Sequence, residues 1–113
     1  MTTETTLSLD IRNNPTPATS QEAGALTRAA LLAWAGMPIG STPRKIMAFH
    51  VDCYSKAGDV RQLAYSIQNE PGIDTEAAMA DLARALAAET SARAKAVALF
   101  ESYTKGEALL AKA

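Results

Sequence analysis

Residues 46–67 read IMAFHVDCYSKAGDVRQLAYSI, and the way this stretch folds decides how the rest of the chain must be arranged. Ile46, His50, Cys53, Ala57, Val60, Ala64 and Ile67 follow one another in alternating steps of four and three, the spacing of residues on one face of an α-helix. Met47, Phe49, Val51 and Tyr54 flank that seam. Gly58 lies inside the pattern and is the place where the helix would bend or break, with Asp59 and Gln62 available to cap a new one. The seam keeps its phase across Gly58, which predicts one helix.

Working upstream, "STPRK" (41–45) places Thr42 as a cap and Pro43 at the first helical position, where a missing N–H costs nothing. Before it, Gly36, Pro38 and Gly40 end an earlier helix whose apolar positions Leu26, Ala30, Ala33, Trp34 and Met37 recur at helical intervals. Thr19 and Glu22 stand at the spacing of a capping box and mark its start. The preceding "NNPTPATS" is a turn-rich linker with two prolines. Ahead of that, "TLSLDIR" alternates, putting Leu7, Leu9 and Ile11 on one side. This predicts either an extended arm laid across the helices or a short strand pairing with its copy in a second subunit.

Downstream, "NEPGID" (69–74) breaks the chain, and Asp74 or Thr75 caps a third helix. Its apolar face opens with Met79, Leu82 and Leu86 and closes with Val97, Leu99, Phe100 and Tyr103, across an alanine-rich middle, with Gly106 as a fray point. The expected fold is therefore all-α: three main helices and a short N-terminal extended segment. Residues 1–18 form the arm and linker, and residues 19–113 a single helical domain.

Composition narrows the function. At 113 residues the chain suits one small domain with a real core. A net charge of −1 gives no general pull toward nucleic acid or an anionic membrane. One cysteine cannot form an internal disulfide, the start carries no basic and apolar leader, and no apolar run reaches the roughly 20 residues of a membrane span. A cytoplasmic protein without a membrane role is expected.

The chain's only histidine and only cysteine, His50 and Cys53, sit three residues apart with Asp52 between them. A nucleophilic pair would need a third group to orient the imidazole and backbone donors for an oxyanion. Asp52 projects about 100° away from Cys53 around the helix, and no glycine turn adjoins it. A tetrahedral metal site needs three or four ligands, where this segment offers one His and one Cys. Both residues read instead as seam-filling core. No phosphate loop, dinucleotide fingerprint, CxxC, HExxH or GxSxG occurs, so no catalytic residue, cofactor or metal ligand is assigned and the chain is not expected to be an enzyme.

The function expected from these exclusions is a small non-enzymatic interaction protein: an adaptor, inhibitor or assembly subunit, homodimeric, of the kind found among accessory products of phages and mobile elements. Its interface candidates are Trp34, Tyr54, Tyr65 and Tyr103, because aromatics concentrate in binding hot spots, with Trp34 read first as the core anchor of the first helix, together with Leu7, Leu9 and Ile11 if the arm pairs with a copy. The alternative is a DNA-binding regulator acting as a dimer, since a strand followed by two helices is the element order of ribbon-helix-helix repressors. Arg12, Arg44 and Lys45 would then be its phosphate contacts. Against it, the segment with helix-turn-helix rhythm presents Glu76 and Asp81 before any arginine.

Overall fold

The computed structural model describes residues 6–112, and the parts of the arm and domain expectations that fall on residues 1–5 and 113 lie outside the described residues. Three helices follow in order: α1 (Ser20–Ala35), α2 (Thr42–Asn69) and α3 (Thr75–Lys112), preceded by a single 3-10 turn at Ile11–Asn13. The chain is all-helical, with no strand among the described residues.

Local chemistry sets each boundary. Thr19 caps α1 by accepting from the Glu22 amide at 3.0 Å, and the Glu22 carboxylate reaches back to accept from the Ala18 amide at 2.9 Å. Ser41, not Thr42, caps α2: its hydroxyl accepts from the Arg44 amide, which places Thr42 and Pro43 in the first turn, where amides need no helical partner. Asp74 caps α3, accepting from the Ala77 amide at 3.1 Å. Gly40 and Gly72 carry positive φ (81° and 79°) in the two connections, a conformation that other residues resist.

α2 runs unbroken through Gly58. Its flanking seam residues Ala57 and Val60 are buried, and a side chain at position 58 would meet the Cβ of Ala23 on α1 at 3.6 Å. The glycine thus sits where two helices approach each other. α3 likewise continues through Gly106 instead of fraying there. An exposed helical glycine costs only about 1 kcal/mol relative to alanine, too little to stop a 38-residue helix.

α2 is the middle element. It packs along its length against both α1 and α3, which make almost no contact with each other. Trp34 near the end of α1 stacks with Arg44 near the start of α2, while Ala23 near the start of α1 meets Gly58, so the pair is antiparallel. Lys45 and Phe49 lie beside Ala98 and Leu99 of α3, and Leu63 lies beside Asp81 and Arg84, so α2 and α3 are antiparallel too. The result is a flat layer about as long as α3, at 63 × 36 × 23 Å. Buried positions on α3 are all alanine (Ala78, Ala92 and Ala96), so it lies close against its neighbour.

A layer one helix thick has two faces, and the N-terminal arm covers one of them. Ile11 is buried among Leu26, Ala30, Met47, Tyr54, Ala92 and Ala96, contributed by all three helices, and Leu7 and Leu9 pack half-buried on the same cluster. The arm therefore lies across the chain's own helices. It does not form a strand: alternation ends in the 3-10 turn, whose N-cap is Asp10, and Pro15 and Pro17 follow. The opposite face of α2, carrying Lys45, Asp52, Asp59 and Gln62, is open to solvent.

Candidate functional site

His50 is fully buried, and its ring is held by the arm. Nε2 donates to the Leu9 carbonyl at 3.0 Å, which leaves Nδ1 as an acceptor facing the Asn14 side-chain amide at 3.5 Å. Asn14 in turn clips the arm to itself: its Oδ1 accepts from the Ser8 amide at 2.7 Å and its Nδ2 donates to the Ser8 carbonyl at 2.9 Å. Tyr54 meets the imidazole edge to face, with ring centroids 6.1 Å apart. Burial holds His50 below the usual histidine range, the Leu9 carbonyl opposes that effect, and Arg93 reinforces it. The ring is neutral at pH 7 and works as a clasp.

Cys53 is also fully buried, but it is turned toward α3, where Arg93 and Glu89 are the charges that act on it. Burial raises its thiol above the usual range, so thiolate is scarce at neutral pH. No hydrogen bond joins Cys53 to His50 among the described residues, and Asp52 points to the open face. The three residues that stand together in the sequence thus face the arm, α3 and solvent. Nor do the described residues contain a group of three or more His, Cys, Asp or Glu side chains placed to hold a metal ion.

The other residues singled out by sequence scatter as well. Tyr54 is buried in the core, its hydroxyl close to the Asn14 side chain but outside hydrogen-bond geometry, and burial pushes its phenol pKa above the ordinary value, against the smaller opposing effect of Asn14. Trp34 is half-buried beneath the Arg44 guanidinium, 4.0 Å from the ring centroid, an intramolecular cation–π contact. Tyr103 is half-buried and directed toward Glu107, and Tyr65 is exposed. Leu7, Leu9 and Ile11 are engaged by the chain's own helices. Of the basic residues, Arg12 bridges Asp10 at 2.8 Å and Glu101 of α3 at 3.0 Å, pinning the arm's turn to α3. Arg44 is stacked, and Lys45 is exposed.

Sequence reading missed a trough on the open face between α2 and α3. It is lined by Ala48 and Phe49 from α2 and Ala98, Leu99 and Ser102 from α3, with Lys45 and Lys95 contributed by the same two helices. It continues past the start of α2 through Leu99 and Ser102 to Thr42, Gly106 and Leu110. Along its α3 side small exposed residues recur at steps of four (Ala98, Ser102 and Gly106), and a side chain at position 106 would meet nothing within 4 Å. Leu109 and Leu110 at its far end are mostly exposed, at 70% and 78%. The signal was present as those small residues, but the alanine-rich composition of α3 hid it.

Further along the same inter-helix line the surface changes character. There Lys56 pairs with Asp59 at 3.7 Å and Arg84 pairs with Asp81. Around the apolar trough, by contrast, Lys45 and Lys95 have no ion-pair partner among the described residues.

Fold and site together define a class: a flat three-helix layer with one face closed by an arm and an apolar trough on the other. No protein-family model matches the chain, and no curated protein or solved structure is detectably similar to it. No described helix is long and apolar enough to cross a membrane.

Proposed function

We propose that this chain is a non-enzymatic protein–protein interaction module whose working surface is the α2–α3 trough. The observation that carries this reading is the apolar lining of Ala48, Phe49, Ala98 and Leu99 on a solvent-facing surface, running toward exposed Leu109 and Leu110. A shallow apolar trough between two side-by-side helices suits a helix laid into it. The His50–Cys53 segment supports the non-enzymatic part, since both groups are sealed in the core and their ionisation is shifted toward the neutral form.

The test is capture from the native host with the wild-type chain and with Ala98→Trp, which fills the trough at an exposed position. The expected result is a protein retained by the wild type and lost with the filled trough, while circular dichroism and thermal unfolding of the two match. Retention that survives the filling would refute the trough as the working surface. Salt-sensitive binding of duplex DNA at micromolar concentration would instead favour the regulator alternative, with Lys45 as its one exposed, unengaged basic candidate.

A further inference from the structure

We infer that the occupant of the trough is an amphipathic helix of another protein, with carboxylates flanking its apolar face to meet Lys45 and Lys95. This rests on the interaction reading and adds the chemistry of the partner.

Three observations carry it. The lining includes small residues, half-buried Ala48 and exposed Ala98 and Ser102, which let a helix axis come close, as small residues do at tight helix crossings. Half-buried Phe49 and Leu99 offer apolar contact, and the lysine stems extend it. The third is the charge pattern. Along the neighbouring stretch of the same two helices each lining cation has its own anion, Lys56 with Asp59 and Arg84 with Asp81. Beside the trough Lys45 and Lys95 have none among the described residues, and no carboxylate lines it there. Glu107 stands only at the far end, turned to Tyr103.

A second copy suits this surface less well. Docked face to face, two chains would gather Lys45 and Lys95 of both subunits, and the nearest open-face carboxylate on α2 is Asp52, about two turns from Lys45. An acidic amphipathic helix satisfies the apolar lining and the cations at once.

The probe is a fluorescently labelled synthetic helix of about 18 residues, roughly the length of the trough along α3. It carries leucine and alanine on one face and glutamate on both flanks, and a matched peptide carries lysine in place of glutamate. Binding is read by anisotropy against the wild type, K45E/K95E and Ala98→Trp. The glutamate peptide is expected to bind the wild type at micromolar concentration, more weakly as salt rises, and at least tenfold more weakly to K45E/K95E. The lysine peptide is expected to prefer K45E/K95E, a swap that lost folding cannot mimic. Equal binding of both peptides, blocked by Ala98→Trp, would overturn the charge assignment and leave the interaction reading standing. No binding of either peptide, with a wild-type dimer that Ala98→Trp dissociates, would overturn it in favour of a second copy. No binding of either peptide by a monomer would overturn it outright, and the host capture then decides the interaction reading separately.

Discussion

The two faces of α2 are made from one helix yet have opposite character. On the covered face His50, Met47 and Tyr54 are sealed under the arm, and each polar group of the clasp except the Tyr54 hydroxyl has a partner. On the open face Lys45, Asp52 and Asp59 meet water and Phe49 is half-exposed beside the trough. The difference teaches that burial here is provided by an irregular segment, not by a fourth helix. Substitutions on the covered face should cost stability, and those on the open face should cost binding.

The largest effect expected is that of Ile11→Ala, which removes the arm's anchor from the shared cluster and should lower unfolding free energy by about 3 kcal/mol in urea titration. A loss under about 1 kcal/mol would mean the covered face does not depend on the arm. His50→Ala should cost about 2 kcal/mol, through lost packing and an unpartnered Leu9 carbonyl in the interior.

The clasp also has a pH signature. His50 titrates below its ordinary value of 6.5 in the fold because burial disfavours the imidazolium, so the unfolded chain takes up the proton first. Its contribution is therefore complete above about pH 6.5 and is lost as pH falls toward the folded value. Asp10, held below its ordinary 3.8 by the Arg12 guanidinium, adds its own loss only at more acidic pH. Unfolding midpoints measured between pH 7.5 and 5 should fall for the wild type and flatten for His50→Ala. A wild-type curve that stays level over that range would contradict the buried neutral ring.

Two smaller effects sharpen the contrast. Tyr54→Phe removes a buried hydroxyl with no hydrogen-bond partner and should leave stability unchanged or raise it by up to about 1 kcal/mol, although the position is fully buried. On the open face, Lys45→Glu and Lys95→Glu should each alter stability by under about 0.5 kcal/mol, because both side chains are exposed and unpaired. A thermal melt suffices to check either result, and a large change in the lysine variants would show that the trough belongs to the core.

Much of this architecture was legible. The seam from Ile46 to Ile67, the Thr19–Glu22 cap and the Asp74 break all act locally, so spacing and side-chain type disclose them. The same locality explains why His50 and Cys53 were readable as core. What could not be read is non-local. His50 closes on Leu9 across 41 residues, and Arg12 on Glu101 across 89, and no periodicity records such meetings. The trough was hidden for a related reason. Ala98 and Ser102 look like any alanine-rich surface until α2 brings Ala48 and Phe49 alongside. The aromatic residues also meet non-local partners: Tyr54 is buried against His50, and Trp34 is half-buried beneath Arg44.

The arm's anchoring across such distances has a bearing on how the protein is made. Translation delivers residues 6–14 well before the imidazole and the Glu101 carboxylate that will hold them, so the segment must wait, unprotected, until most of α3 has left the ribosome. Closing loops that long is slow compared with winding the helices. Amides of the arm should accordingly be among the last to gain protection from hydrogen exchange during refolding, after those of α2.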